Sequence, residues 1–120
     1  MGDIVLDLPA PPSVNRLRLI GKSNGRMSVT KSPAYKSWIK SADALVLATG
    51  QLRGVKTIIG KFEAEIVLKR SNVDLDNHSK GLLDWLQSRQ IILNDKHCER
   101  LSLEWGDAPH GCRVIVRPCA

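Results

Sequence analysis

Apolar and polar residues alternate most regularly over Lys61–Arg70. Phe62, Ala64, Ile66 and Leu68 fall on one side, and Lys61, Glu63, Glu65, Val67 and Lys69 on the other. A period of two residues is that of a half-buried β-strand. Ile4–Leu8 carries the same signal through Ile4, Leu6 and Leu8. Pro9-Ala10-Pro11-Pro12 ends it, because proline has no N–H to give to a ladder. From Tyr35 the period lengthens. Tyr35, Trp38, Ile39, Ala42, Leu45 and Val46 have the spacing of an amphipathic helix. Ser32-Pro33 supplies an N-cap and a first-turn proline, and Gly50 a C-terminal stop. Trp38 sits in the apolar stripe and is expected in the core. A second helix is predicted over Asn77–Arg89. Leu82, Leu83 and Leu86 take one side of it, and Asp76, Lys80, Asp84 and Gln87 the other.

The remaining segments complete an α/β pattern. Met27–Thr30 reads as a short strand. Ile91-Ile92-Leu93 returns the chain to the core and presents Asn94-Asp95. Leu101, Leu103 and Trp105 alternate as a strand, as do Val114 and Val116 within Arg113–Arg117. The turn Gly106–Gly111 between them predicts an antiparallel hairpin. Trp85 flanks the leucine stripe, as a core residue or a subunit contact. Gly81 inside a helix costs about 1 kcal/mol relative to alanine, and is either a point of close backbone approach or incidental. The expected fold is a single domain over residues 1–120, a mixed sheet of four or five strands packed by two main helices.

Composition narrows the class. No apolar run approaches the roughly 20 residues that span a bilayer, and Met1-Gly2-Asp3 does not open a secretory leader. Cys98, Cys112 and Cys119 are odd in number and form no CxxC pair, which predicts reduced thiols in a cytoplasmic protein. Charge is uneven. Residues 1–61 hold 10 Lys/Arg and 3 Asp, a net +7, whereas residues 62–120 hold 8 Lys/Arg and 9 Asp/Glu, a net −1. A basic half suits an acidic partner such as nucleic acid. Arg16, Arg18, Lys22 and Arg26 lie in a glycine-containing stretch that reads as a phosphate-gripping arm or a solvated loop.

The candidate chemistry lies in Asp74-Leu75-Asp76-Asn77. If Val73–Asp76 stays extended, Asp74 and Asp76 point the same way. Two carboxylates about 5 Å apart repel by about 3 kcal/mol at an effective dielectric near 20. A hard divalent cation is one way to offset that. Hydrolysis of a phosphodiester needs such a cation, and Asp95 would be a third carboxylate for it, with Lys80 beside the phosphate. The bland alternative makes Asp76 the helix N-cap and Lys80 a surface partner of Asp76 or Asp84, worth a few tenths of a kcal/mol. An EF-hand alignment from Asp74 fails, with Ser79 where glycine is wanted and Trp85 where glutamate is. His97, Cys98, His110, Cys112 and Cys119 match no usual zinc spacing. His78 is expected at an exposed helix start, with an accessory-ligand or proton-carrier role as the alternative. No nucleophilic triad, P-loop or dinucleotide turn is present.

Taken together these residues resemble the RusA family of Holliday-junction resolvases, endodeoxyribonucleases often carried by prophages. The resemblance runs from about Ile4 to Arg117. It rests on Leu8-Pro9-Ala10-Pro11-Pro12-Ser13-Val14-Asn15-Arg16, the Tyr35 helix, and Asp74-Leu75-Asp76-Asn77 followed by Lys80, Leu83-Asp84 and Asn94-Asp95. It implies catalytic Asp74, Asp76, Asp95 and Lys80, with the three aspartates holding Mg²⁺ and Mn²⁺ a candidate substitute. It also implies a homodimer that nicks symmetric strands of four-way junction DNA in recombination and repair, and the composition adds the expectation of no membrane association. Asn94 departs from the pattern, where a second aspartate is expected. Arg16, Arg18, Lys22, Arg26, Lys69 and Arg70 are the nominated DNA contacts. The rival expectations are a non-catalytic branched-DNA binder, a nuclease on other branched DNA, and a plain interaction domain.

Overall fold

The computed structural model describes residues 3–12, 18–23, 26–71 and 75–119, with side chains described for these except at 18–23, 26–31, 76 and 77. Six strands and two helices follow in the order β1 (Ile4–Pro9), β2 (Arg18–Ser23), β3 (Arg26–Lys31), α1 (Pro33–Thr49), β4 (Phe62–Leu68), α2 (Ser79–Ser88), β5 (Cys98–Trp105) and β6 (Gly111–Pro118). Four strands form the main sheet in the order β1-β6-β4-β5, and β2 pairs with β3 separately. β4 is antiparallel to β6 and parallel to β5, so the sheet is mixed, as expected. α2 is the crossover that parallel neighbours require.

The alternation of β4 is realised in full. Phe62, Ala64, Ile66 and Leu68 are buried, and they join Leu6, Leu8, Cys112, Val114 and Val116 in one core under α1 and α2. The other face of the sheet mixes Val5, Val67 and Ile115 with charged residues, which are cross-linked by ion pairs of Arg113 with Asp7 and of Arg117 with Asp3 and Glu65. Arg117 lowers the Glu65 carboxyl below its ordinary range, chiefly through this hydrogen bond. α1 starts as predicted, with Ser32 Oγ accepting from Tyr35 N at 3.1 Å. It ends at Gly50, whose φ of 67° is the left-handed conformation glycine favours.

Two expectations are corrected here. β5 and β6 are not a hairpin, because β4 lies between them. The connecting loop straps across the end of β4, where Gly106 N donates to Leu68 O and Lys69 N donates to Gly111 O. A Cβ at Gly106 would meet the Val67 side chain at 2.8 Å, so a larger residue there would make Val67 or the strap shift. The arrangement puts the most apolar strand at the centre, with two partners. It leaves β5, with Glu99, Arg100 and Glu104 exposed, on the edge, where charge deters pairing with another chain. Within the basic stretch after residue 16, Arg18–Ser23 is a strand and not a loop. Ser23 faces Arg26 in the register, and the sequence between them reads Asn24-Gly25. Asn-Gly between two short runs is a hairpin signal.

Three aromatics fix the helices to each other. Tyr35 stacks on Trp38 at 5.9 Å, and Trp38 meets Trp85 edge-on at 6.0 Å. Trp85 is therefore a core residue. Each ring also uses its polar atom: Trp38 Nε1 donates to Pro9 O, Trp85 Nε1 to Asp43 Oδ1, and Tyr35 Oη to Gly81 O at 3.0 Å. Gly81 is buried, and its carbonyl is met by a side chain of α1 and not by another backbone, which is one of the two expectations. Tyr35→Phe should cost roughly 1–2 kcal/mol in urea unfolding, because it leaves a buried carbonyl with one bond fewer. An unchanged midpoint and slope would show that the hydroxyl contributes nothing.

Candidate functional site

α2 presents its polar face to the segment that returns from it. Lys80, Asp84 and Gln87 lie one turn apart, and all three reach Asp95 or each other. Lys80 Nζ is 3.0 Å from Asp84 Oδ1 and 3.4 Å from Asp95 Oδ2. Gln87 Oε1 accepts from Asp95 N at 3.0 Å. The carboxylates are partly shielded, with 22% of the Asp84 and 25% of the Asp95 side chain exposed, whereas Lys80 is 54% exposed. The sequence expectation that Lys80 belongs to the aspartate side is met. Helical spacing puts Gln87 on this face, but its bond to Asp95 joins residues on different elements and is not contained in that spacing.

Asp95 opens a 3₁₀ turn, Asp95–His97, and Asn94 is its N-cap: Asn94 Oδ1 accepts from Lys96 N at 2.9 Å. The departure at Asn94 therefore has a structural role. Its side chain is engaged by the backbone of the turn that aims Asp95, and an aspartate could accept the same bond.

The Lys80 ammonium is held in its charged form. Its pKa is raised, first by the hydrogen bond to Asp84, against some desolvation, and then by the Asp84 charge and by Asp95. At neutral pH Lys80 is a fixed cation and a hydrogen-bond donor, not a base.

The aspartate pair is only partly placed. Asp74 lies outside the described residues, and for Asp76 only the backbone is described. That backbone belongs to a 3₁₀ turn, Leu75–His78, directly ahead of α2. The expected extended run does not reach Asp76, so strand alternation is not what orients it. Asp76 is not the N-cap of α2 either. That position is His78, without a side-chain capping bond. His78 is also not exposed. It is buried, and its Nδ1 lies 2.9 Å from the carbonyl oxygen of Pro11. A carbonyl only accepts, so Nδ1 carries the proton and donates. This bond ties the segment after β1 to the turn that contains Asp76.

Carboxylate oxygens are the donors a hard divalent cation takes, so the chemistry of Asp84 and Asp95 suits one. Among the described residues, no three His, Cys, Asp or Glu side chains form a ready metal cluster. The zinc alternative is not assembled there: Cys98, Cys112 and Cys119 are free, and burial pushes the Cys112 thiol up to about 12. Of the nominated DNA contacts, Arg16 lies outside the described residues. Arg18 and Lys22 are on β2 and Arg26 on β3. Lys69 and Arg70 are exposed, and the Arg70 guanidinium lies 5.5 Å from the centre of the Trp105 ring. Among the described residues no helix is long and apolar enough to cross a membrane.

If Asn94 acts as a cap, Asn94→Asp should leave stability within about 0.5 kcal/mol, and Asn94→Ala should lower it by about 1 kcal/mol. Chemical unfolding checks both, and equal losses would remove the capping role. No family model matches the chain, and no curated protein matches it.

Proposed function

We propose that the protein is a Mg²⁺-dependent endonuclease that cuts four-way DNA junctions, as its resemblance to the RusA resolvases implies. The observation that carries the reading is Lys80 Nζ within 3.4 Å of Asp95 Oδ2, across 15 residues of chain, beside the turn that follows Asp74. A permanently charged ammonium next to a carboxylate backed by Gln87 and the Asn94-capped turn suits phosphoryl chemistry. The ammonium offsets charge that builds on phosphate oxygens during displacement. Asp95, Asp74 and Asp76 would hold the cation, which supplies a polarised phosphate and an activated water. Water attacks phosphorus and one P–O bond breaks.

The basic residues fit the same substrate. Lys69 and Arg70 lie five and four residues before Asp74, and Arg16, Arg18, Lys22 and Arg26 add to the charge of the first half. Such contacts hold backbone phosphates without reading bases. A four-way junction offers two equivalent strands, so a two-fold homodimer would present one site to each.

The test is cleavage of a labelled four-way junction with Mg²⁺, set against a linear duplex. Paired nicks in the junction alone, reduced at least about a hundredfold by Asp95→Asn with junction binding retained, are expected. Tight junction binding without nicking in Mg²⁺ or Mn²⁺ would replace this function with that of a non-catalytic branched-DNA binder.

A further inference from the structure

Asp95 does not depend on Lys80 for its position. Its backbone N–H is held by Gln87, and the turn it opens is capped by Asn94. Lys80 is more than half exposed. Its pair with Asp84 runs lysine-first along the helix, the weaker order for residues four apart, and exposed pairs of this kind hold a fold together little. The ammonium is therefore not a strut. It nevertheless rests on Asp95 Oδ2, an oxygen that a cation would use, and a second carboxylate stands 3.0 Å away on the adjacent turn of α2.

We propose that Lys80 and a divalent cation compete for Asp95, and that Asp84 is the positioning residue that receives Lys80 when the cation arrives. The inference rests on the reading of Asp95 as a cation ligand. Without metal, Lys80 neutralises Asp95, and Asp84 shares it. With metal, two positive charges on one carboxylate repel. The lysine side chain then turns fully to Asp84, a shift its exposed, flexible stem allows. Asp84 thus keeps the ammonium beside the site instead of in it. Removing the lysine should strengthen cation binding. Removing Asp84 leaves Asp95 as the partner of Lys80 among the described residues and makes the lysine harder to displace.

Mn²⁺ binding to the full chain without DNA, read by the electron-spin-resonance signal of free Mn²⁺ and by Mg²⁺ competition, tests this without reference to activity. Wild type should bind, and Asp95→Asn should weaken binding at least about tenfold. Lys80→Gln and Lys80→Met should each tighten it roughly fivefold. Asp84→Asn should weaken it about threefold, and Asp84→Glu should restore it. In the Lys80→Gln background Asp84→Asn should have less than half that effect, which a double-mutant cycle measures. Thermal unfolding of each variant should match wild type, since these side chains are partly or largely exposed. Unchanged or weaker binding in both Lys80 variants overturns the competition. An Asp84→Asn effect of equal size with and without the lysine overturns the role of Asp84. Both results leave the metal site standing. No Mn²⁺ binding by wild type, or none lost in Asp95→Asn, overturns the competition and the metal site together.

Discussion

Tyr35, Trp38 and Trp85 are wedged between α1, α2 and the end of β1, and the position of every candidate site residue on α2 depends on them. Rings of this size bury more apolar surface than any other side chain. Here each also donates to an acceptor on a different element: Pro9 O on β1, Asp43 on α1 and Gly81 O on α2. The edge-on contact of Trp38 with Trp85 joins the helices, and the hydrogen bonds set their rotation. Arg89 pairs with Asp43 as well, so α2 is held to α1 at both ends. With Leu82, Trp85 and Leu86 turned into the core, Lys80, Asp84 and Gln87 have only the outward face left to occupy.

That face meets a segment whose path is also constrained. Ile91 and Ile92 are buried, and Ile58 N and O bond to Ile91 O and Leu93 N. Asn94 then caps the turn that starts at Asp95. Packing thus brings a carboxylate from outside α2 to a lysine on it. The same logic holds on the other side, where buried His78 joins the turn containing Asp76 to Pro11. The candidate site lies between two places where local backbone is fixed by a single polar side chain, and both side chains are engaged with main-chain atoms.

Much of this could be read from the chain because the signals are local. Ser32, Pro33 and Gly50 bound α1 by capping chemistry, β4 follows from strict alternation, and helical spacing sets Lys80, Asp84 and Gln87 on one face. What could not be read was non-local. The pairing of β5 with β4 depends on which strand gains most from the central position, whereas sequence adjacency favours a hairpin with β6. β2 was obscured by its short, weakly alternating Arg18–Ser23 run, although Asn24-Gly25 pointed to a hairpin. The burial of His78 depends on a carbonyl 67 residues away, which no spacing rule contains. The role of Asn94 is local, since asparagine is a favoured N-cap and the bond it accepts comes from Lys96, two residues on.

The most direct measurement is a crystal structure grown with Mn²⁺, with the ion located by its anomalous scattering. A metal centre built on this acidic face requires a peak within about 2.5 Å of an Asp95 carboxylate oxygen, shared with Asp74 or Asp76. Saturating Mn²⁺ with no peak at Asp95, or a peak on other side chains alone, would contradict it.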